Sequence, residues 1–338
     1  MTALTHPFRQ PDFRPTPWAS GPHAQSILSS AQPKRWFTER AARPFVDAGQ
    51  AMLVDCGAGV RLLGHYNAAP ADGECEPNGR LVVIIHGWEG SSESIYNLSV
   101  GPALNAQGFD TLRLNLRDHG PSHHLNEEMF HSCRIDEVVG AFKWINREFP
   151  DRRVSAVGFS LGGNFALRVA NRAPGEGIAL DQVIAICPVL DPAETMQALD
   201  SGPLIYEKYF IRKWRRSLDK KRSAFPEIYS FRNLEKFTNL KQMTDYFVTR
   251  YTDYDDLHTY LDGYAITEGR LDNVDIPVTV LLAADDPVIP VQGVERMHFP
   301  PGAQVFVSPA GGHCGFMQGL TLRSYVDEFV LEHLQAGG

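Results

Sequence analysis

Residues 158–162 read Gly-Phe-Ser-Leu-Gly, a lone serine held between glycines. The run before it, Arg153-Val154-Ser155-Ala156-Val157, is short, β-branched and apolar, the pattern of a strand buried on both faces. After it, Leu161, Phe165, Ala166, Val169 and Ala170 recur at helical spacing, so Ser160 is predicted at a strand-to-helix turn. Gly158 and Gly162 would let the two arms of that turn pass closely, lifting the Ser160 hydroxyl out of the sheet beside the first N–H groups of a helix. Such a position suits a nucleophile, whereas a plain Ser-Gly turn needs no chemistry. A nucleophilic serine also requires a base, an acid that orients the base, and donors for an oxyanion.

A candidate acid stands where the apolar run VTVLLAA ends, in Asp285-Asp286-Pro287. Asp286 is favoured of the two, with Pro287 and Pro290 stiffening the loop around it; a polar turn is the plainer reading. A candidate base is His313, in Pro309-Ala310-Gly311-Gly312-His313-Cys314-Gly315, where glycines permit a close approach of the imidazole. Cys314 is read as packing. The stretch His86-Gly87-Trp88-Glu89-Gly90-Ser91-Ser92 follows the strand-like LVVII, and the backbone N–H groups of Trp88 and Leu161 are the candidate oxyanion donors. It carries no lysine and no G-x-x-x-x-G-K-[ST], which speaks against a phosphate-cradling loop.

Together, His86 to Ser92, Gly158 to Gly163, Asp285-Asp286-Pro287 and Gly312-His313 resemble the α/β-hydrolase superfamily. More narrowly, the chain is similar to the YheT-like branch, which includes mammalian lipid hydrolases and yeast medium-chain ester synthases. Gly21-Pro22-His23-Ala24-Gln25 matches that branch's Gly-x-His-x-Gln element. The resemblance spans roughly residues 15 to 330 and implies an α/β fold with a mostly parallel central sheet flanked by helices and a helical lid insertion. It also implies a triad in the chain order Ser160, Asp286, His313, acting on a carboxylic ester through an acyl-enzyme without cofactor or metal. The chain departs from the branch at Arg117-Asp118-His119-Gly120-Pro121-Ser122-His123-His124, where many members carry an Arg-Gly-Cys-Ser-Gly type stretch. An acyltransferase would use the same triad with an alcohol in place of water, and a ligand-binding protein could keep the fold without the chemistry.

The elements that must position these residues can be read along the 338-residue chain. Residues 1–50 are rich in proline (Pro7, Pro11, Pro15, Pro17, Pro22) and read as an extended arm packed on the body. Residues 51–67 read as a hairpin around Gly-x-Gly, and residues 68–79 as a polar loop. Strand-like runs at 81–88, 110–118, 153–159 and 182–190 alternate with helical patterns, which requires crossovers and a mostly parallel sheet. One helix carries Ile135, Val138, Val139, Phe142, Ile145 and Phe149, with Ser132 as its predicted N-cap. Residues 191–271 lack any strand-like run and hold many aromatics among charges, so a helical cap is expected there. Residues 278–286, a helix, 303–309 and a last helix carrying Leu322, Tyr325, Val326, Phe329, Val330 and Leu334 complete the core, which is thus 51–190 and 272–338.

Composition narrows the partners. The net charge of -8, from 32 Lys plus Arg against 40 Asp plus Glu, argues against a general nucleic-acid binder. Five scattered cysteines without C-x-x-C pairing suggest a reduced, cytoplasmic protein, and neither a signal peptide nor a membrane span is legible. His119, His123, His124 and His131 invite a metal reading, but Gly120-Pro121 breaks any helix that would present the first two together. A hydrogen-bonded loop at the rim of a pocket is expected instead. Residues 208–222 hold eight basic side chains, read either as a solvated helix face or as a lid making weak contact with an anionic lipid surface.

Overall fold

The computed structural model describes residues 8–71, 73, 75–231 and 234–336. Pro7 and the rest of the first seven residues of the expected arm, residues 72 and 74 of the polar loop, and the final two of the core lie outside the described residues. Arg9 bridges to Phe306 and Pro15 to Gln318, but most of the expected extended arm is helical: α1 is Pro22–Leu28 and α2 is Gln32–Asp47. Proline misled there because it also favours the first helical turn, where its missing N–H costs nothing, and both helices carry one at that place.

β1 (Gln50–Asp55) and β2 (Arg61–Asn67) form the antiparallel opening hairpin. β3 (Arg80–Ile85), α3 (Ile95–Ala106), β4 (Asp110–Asn115), α4 (Ile135–Glu148), β5 (Arg153–Phe159), α5 (Leu161–Glu176) and β6 (Gln182–Ile186) then alternate. β2 pairs antiparallel with β4; from β4 onward every pairing is parallel, and the sheet order is β1-β2-β4-β3-β5-β6-β7-β8 once β7 (Val278–Ala283) and β8 (Gln304–Ser308) join. The hairpin β9 (Met317–Gln318) and β10 (Arg323–Ser324) stands apart from the large sheet. Every residue of β3, β4 and β7 is buried, which explains the near-continuous apolar runs of β3 and β7, while Asp110, Arg113 and Asn115 of β4 are buried polar groups with hydrogen-bond partners.

The two faces of β3 show how the layers are built. Leu81, Val83 and Ile85 pack with α4 and α5 through Phe142, Ile145, Phe165 and Val169. Val82 and Ile84 point the other way, onto Val100 and Leu104 of α3 and onto Phe329 and Val330 of α10 (Tyr325–Ala336). Three expected boundaries differ. α4 starts at Ile135 after a turn in which the Arg134 N–H donates to the His131 carbonyl, so Ser132 falls too early to cap it, and its own N–H donates to the Tyr260 hydroxyl. The helix expected after β7 is a 3-10 stretch, Val291–Arg296, which ends as Met297 turns to extended backbone. α10 begins at Tyr325, and Leu322 lies in the preceding turn with φ 54.

Between β6 and β7 run α6 (Pro192–Ser201), α7 (Leu204–Ala224), a 3-10 turn at Leu234–Lys236, α8 (Leu240–Tyr251) and α9 (Leu257–Asp262). Asp191, Asn239 and Asp256 cap α6, α8 and α9 with side-chain oxygens. The segment has an apolar cluster of its own in Leu218, Tyr229, Phe231, Leu234, Met243 and Phe247, joined by Met129 from the core. Its main anchor is ionic: Lys221 of α7 is buried and donates to Asp118 Oδ1 at 2.9 Å and to the Asn126 and Glu128 carbonyls at 2.5 and 3.0 Å. Residues 208–222 are therefore not a uniformly solvated face. Among the described residues, no helix is long and apolar enough to cross a membrane.

Candidate active site

The turn joining β5 to α5 holds Ser160 at φ 54 and ψ -119, in the left-handed half of backbone space that L-residues avoid at a cost of about 1–3 kcal/mol. The surroundings impose it. A Cβ on Gly158 would lie 2.3 Å from the Gly162 carbonyl oxygen, and one on Gly162 would lie 2.2 Å from the Ile85 oxygen. With glycine at both places the strand, the turn and the helix start can touch. Ser160 N–H donates to Ile186 O at 2.8 Å, tying the turn to the end of β6.

Asp286 and His313 arrive on the loops after β7 and β8, at the same sheet edge. Ser160 Oγ lies 3.0 Å from His313 Nε2, and His313 Nδ1 lies 2.9 Å from Asp286 Oδ2. The other oxygen of Asp286 accepts the N–H groups of Val288 and Ile289 at 2.8 and 3.0 Å, which fixes the carboxylate plane. Asp285 instead accepts Gly312 N–H at 2.9 Å, so the two neighbours divide the work of holding His313 and its loop. Burial by itself lowers the basicity of His313, but the Asp286 charge and hydrogen bond, with the Cys314 thiol adding to them, raise it to about 9.

Gly87 packs against Ser160, since a Cβ there would stand 3.1 Å from the serine Cβ, and this brings the Trp88 backbone beside the Ser160 side chain. Leu161 is the first residue of α5, where N–H groups have no partner within the helix and the helix dipole is positive. His86 is buried and joins the ends of two strands: its Nε2 accepts Leu116 N–H at 3.1 Å, so Nδ1 carries the proton and donates to Gly87 O at 2.7 Å. His119 does the same for the next part of the loop, accepting Glu89 N–H at Nε2 and donating to Arg117 O. Burial keeps both imidazoles neutral, with His119 lowered to about 4. Thus His119 is a strut for the Trp88 loop, and His123 bonds Ser217 on α7. The four histidines that suggested a metal are not brought together. Among the described residues, the metal-capable trio is Cys187, His313 and Cys314, with ligand atoms within 4.8 Å of one another. Cys314, read from sequence as packing, lines the cavity beside Ser160.

The N-terminal helix α1 supplies positioning that the catalytic motifs do not show. Ser26 Oγ accepts the His313 N–H at 2.8 Å and donates to Pro22 O at 2.7 Å. Gln25 is wholly buried; it donates to Ala19 O and Met317 O and accepts Met317 N–H at 2.6 Å. α1 lies so close to the His313 loop that a Cβ on Gly315 would meet the Gln25 carbonyl oxygen at 2.4 Å. His23 Nδ1 reaches the Tyr206 hydroxyl on α7 at 2.9 Å, so α1 also touches the helical segment. The Gly-x-His-x-Gln spacing was the available signal, but only tertiary contact gives it a task.

Ser160, Leu161, Trp88 and His313 line a cavity of ≈ 950 Å³ beneath α6, α7 and α8. Its wall includes Met196, Leu199, Phe210, Trp214 and Phe247, with Trp88 stacked on Phe210 at 5.3 Å and edge-on to Trp214 at 5.4 Å. An apolar chamber meeting a serine, a histidine and free backbone donors suits a substrate with an apolar chain and a polar reacting centre.

The fold and this constellation define an α/β protein, its mostly parallel sheet carrying a serine on a strand-to-helix elbow. A model of the alpha/beta hydrolase fold matches residues 80–320, and the chain belongs to that family. It is similar to YheT of Escherichia coli, named as an inferred esterase, with 24% identity over 281 residues covering 80% of this chain and 81% of that protein. It is 24% identical over 274 residues to a monoacylglycerol lipase of Danio rerio, covering 75% of this chain and 65% of that one. Among solved structures, an esterase of Pyrococcus furiosus shares the fold at a TM-score of 0.55 and 17% identity, covering 85% of this chain and 90% of that one. Carboxylesterase CesB of Bacillus subtilis does so at 0.53 and 17%, covering 91% and 100%.

Proposed function

We propose that the protein is a serine hydrolase that cleaves carboxylic esters through an acyl-enzyme on Ser160. The observation that carries this reading is the continuous chain from Ser160 Oγ through His313 to Asp286, at 3.0 and 2.9 Å, opening on an apolar cavity. His313 takes the serine proton as Oγ attacks the acyl carbon, and Asp286 holds the imidazole tautomer and stabilises the imidazolium. The Trp88 and Leu161 N–H groups receive the oxyanion. His313 then passes its proton to the leaving alkoxide, and water repeats the sequence on the acyl-enzyme. Residues 51–190 and 272–338 act as the catalytic core and 191–271 as a cap, the arm before residue 51 bracing the His313 loop. The names of the relatives, an inferred esterase and a monoacylglycerol lipase, favour ester substrates with an acyl chain.

The test is hydrolysis of p-nitrophenyl esters from acetate to palmitate by wild type and Ser160→Ala. A loss of roughly a thousandfold or more in the variant, with fluorophosphonate labelling of wild type alone, is expected. Equal rates, or no turnover and no labelling, would overturn the assignment. Product analysis with an added alcohol separates hydrolysis from acyl transfer. A weak membrane contact of the cap has one observation behind it: Leu204, Ile205 and Tyr209 of α7 are exposed beside its cations. Co-sedimentation with anionic vesicles tests that contact.

A further inference from the structure

The cavity that reaches Ser160 has a charge composition unlike the rest of the chain. Five cations, Lys34, Arg35, Lys208, Arg212 and Lys213, line it, and no Asp or Glu does among the described residues. The chain as a whole carries a net charge of -8. An acidic protein has therefore kept carboxylates away from one opening while bringing cations to it from two separate helices, α2 and α7.

Only two of these five cations, Lys34 and Arg35, have a nearby carboxylate as counter-charge among the described residues. Neither the Lys208 nor the Arg212 side chain makes a hydrogen bond or ion pair with another described residue, although they stand one turn apart on one face of α7. Lys213 donates to a backbone carbonyl, that of Glu89, at 3.0 Å, which leaves its charge uncompensated. The Glu89 carboxyl is a weak counter-charge, because burial pushes it up to about 8 against the pull of Lys213. Lys34 donates to the Leu322 carbonyl at 2.6 Å and has Asp327 as its nearby counter-charge; Arg35 pairs with Glu39 at 2.6 Å. Lys208 and Arg212 thus have free side chains, and Lys213 beside them keeps a charge with no ion-pair partner among the described residues. Tyr206, Phe210 and Trp214, on the same helix, line the chamber that leads to the serine.

We propose that the substrate is a single-chain acyl ester whose alcohol part bears an anionic group of the phosphate type, held by Lys208, Arg212 and Lys213 while the chain fills the aromatic chamber. The inference rests on the ester-hydrolase reading and adds the substrate's charge to it. The same chemistry could be offered by a free molecule or by the headgroups of a bilayer, and the geometry favours the free molecule, since the cations line the cavity that holds the nucleophile.

The experiment compares wild type on two monomeric substrates with the same acyl chain, a monoacylglycerol and the corresponding acylglycerol phosphate, each below its critical micelle concentration. Half-exposed charge contacts contribute roughly two- to fivefold each, so three give about tenfold or more in kcat/KM for the phosphate ester, carried mainly by KM. The preference falls to about threefold or less in Lys208→Ala/Arg212→Ala and in 0.5 M salt, where the Debye length is a few ångströms. Dodecyl phosphate should compete with the neutral ester more strongly than dodecyltrimethylammonium does. Turnover of the neutral ester with no preference for the phosphate ester overturns the proposal and leaves the hydrolase reading standing; failure to turn over either ester strikes the hydrolase reading. A preference that appears only on vesicles also overturns it, in favour of a surface contact.

Discussion

Replacing Asp286 with asparagine removes the charge that holds His313 and keeps the shape. His313 is raised from its ordinary 6.5 to about 9, with burial acting in the opposite direction. That rise corresponds to about 3 kcal/mol in favour of the imidazolium, a factor of roughly three hundred. In the proposed mechanism the imidazolium forms in the transition state, so the variant loses about this much for electrostatic reasons alone. A second loss comes from the tautomer. An amide N–H facing Nδ1 turns that nitrogen into an acceptor and puts the proton on Nε2, which can then no longer take the Ser160 proton; this cost about 10⁴ in kcat where it was measured in a serine protease. A fall in kcat/KM between about 10² and 10⁴ is expected. The pH profile carries the sharper signature. The base works only when neutral, so wild-type activity rises with pH through the folded value near 9, and the rising limb in Asp286→Asn moves to lower pH. Stability follows the same sign: the His313 contribution is complete below about 6.5 and is lost as pH rises through about 9, in wild type and not in the variant. The assay is p-nitrophenyl ester hydrolysis from pH 5 to 10 with urea unfolding at both ends of that range. A variant within tenfold of wild type at pH 9, with its limb unmoved, would refute the reasoning.

Other perturbations probe the scaffold around the triad. Gln25→Ala leaves Ala19 O and Met317 N–H without their side-chain partner, and two buried orphans at about 1–3 kcal/mol each predict a loss of about 2–6 kcal/mol in urea unfolding; a loss under 1 kcal/mol would show that α1 is not anchored this way. Gly315→Ala puts a methyl group 2.4 Å from the Gln25 carbonyl oxygen, with backbone on both sides, so about 1–3 kcal/mol of stability and about tenfold in kcat are expected to go together as the His313 loop shifts. Lys221→Met strands the Asp118 carboxylate in the interior and should cost about 3–5 kcal/mol, while Asp118→Asn/Lys221→Met recovers most of it; equal losses in single and double variants would mean that the charge pair is not the anchor.

The sequence by itself determined which residues could form the site and roughly where the sheet lies. Ser160, Asp286 and His313 were legible because each follows an apolar run at a turn rich in small residues or proline, and a short run without polar breaks is what a strand buried on both faces must be. The helical character of 191–271 was legible for the converse reason, the absence of any such run. The local signals failed where one residue type serves two conformations, as proline did in α1 and α2, or where a boundary hung on a turn, as at Ser132. Tertiary structure alone decided the rest. It made Gln25 and Ser26 the brace of the His313 loop across almost the whole chain length, turned His119 from a candidate ligand into a strut, buried Lys221 against Asp118, and gathered cations of α2 and α7 at one opening. Periodicity reports only what neighbours along the chain share, and these contacts join residues far apart in it, whose hydrogen bonds and charges acquire partners only when the layers pack.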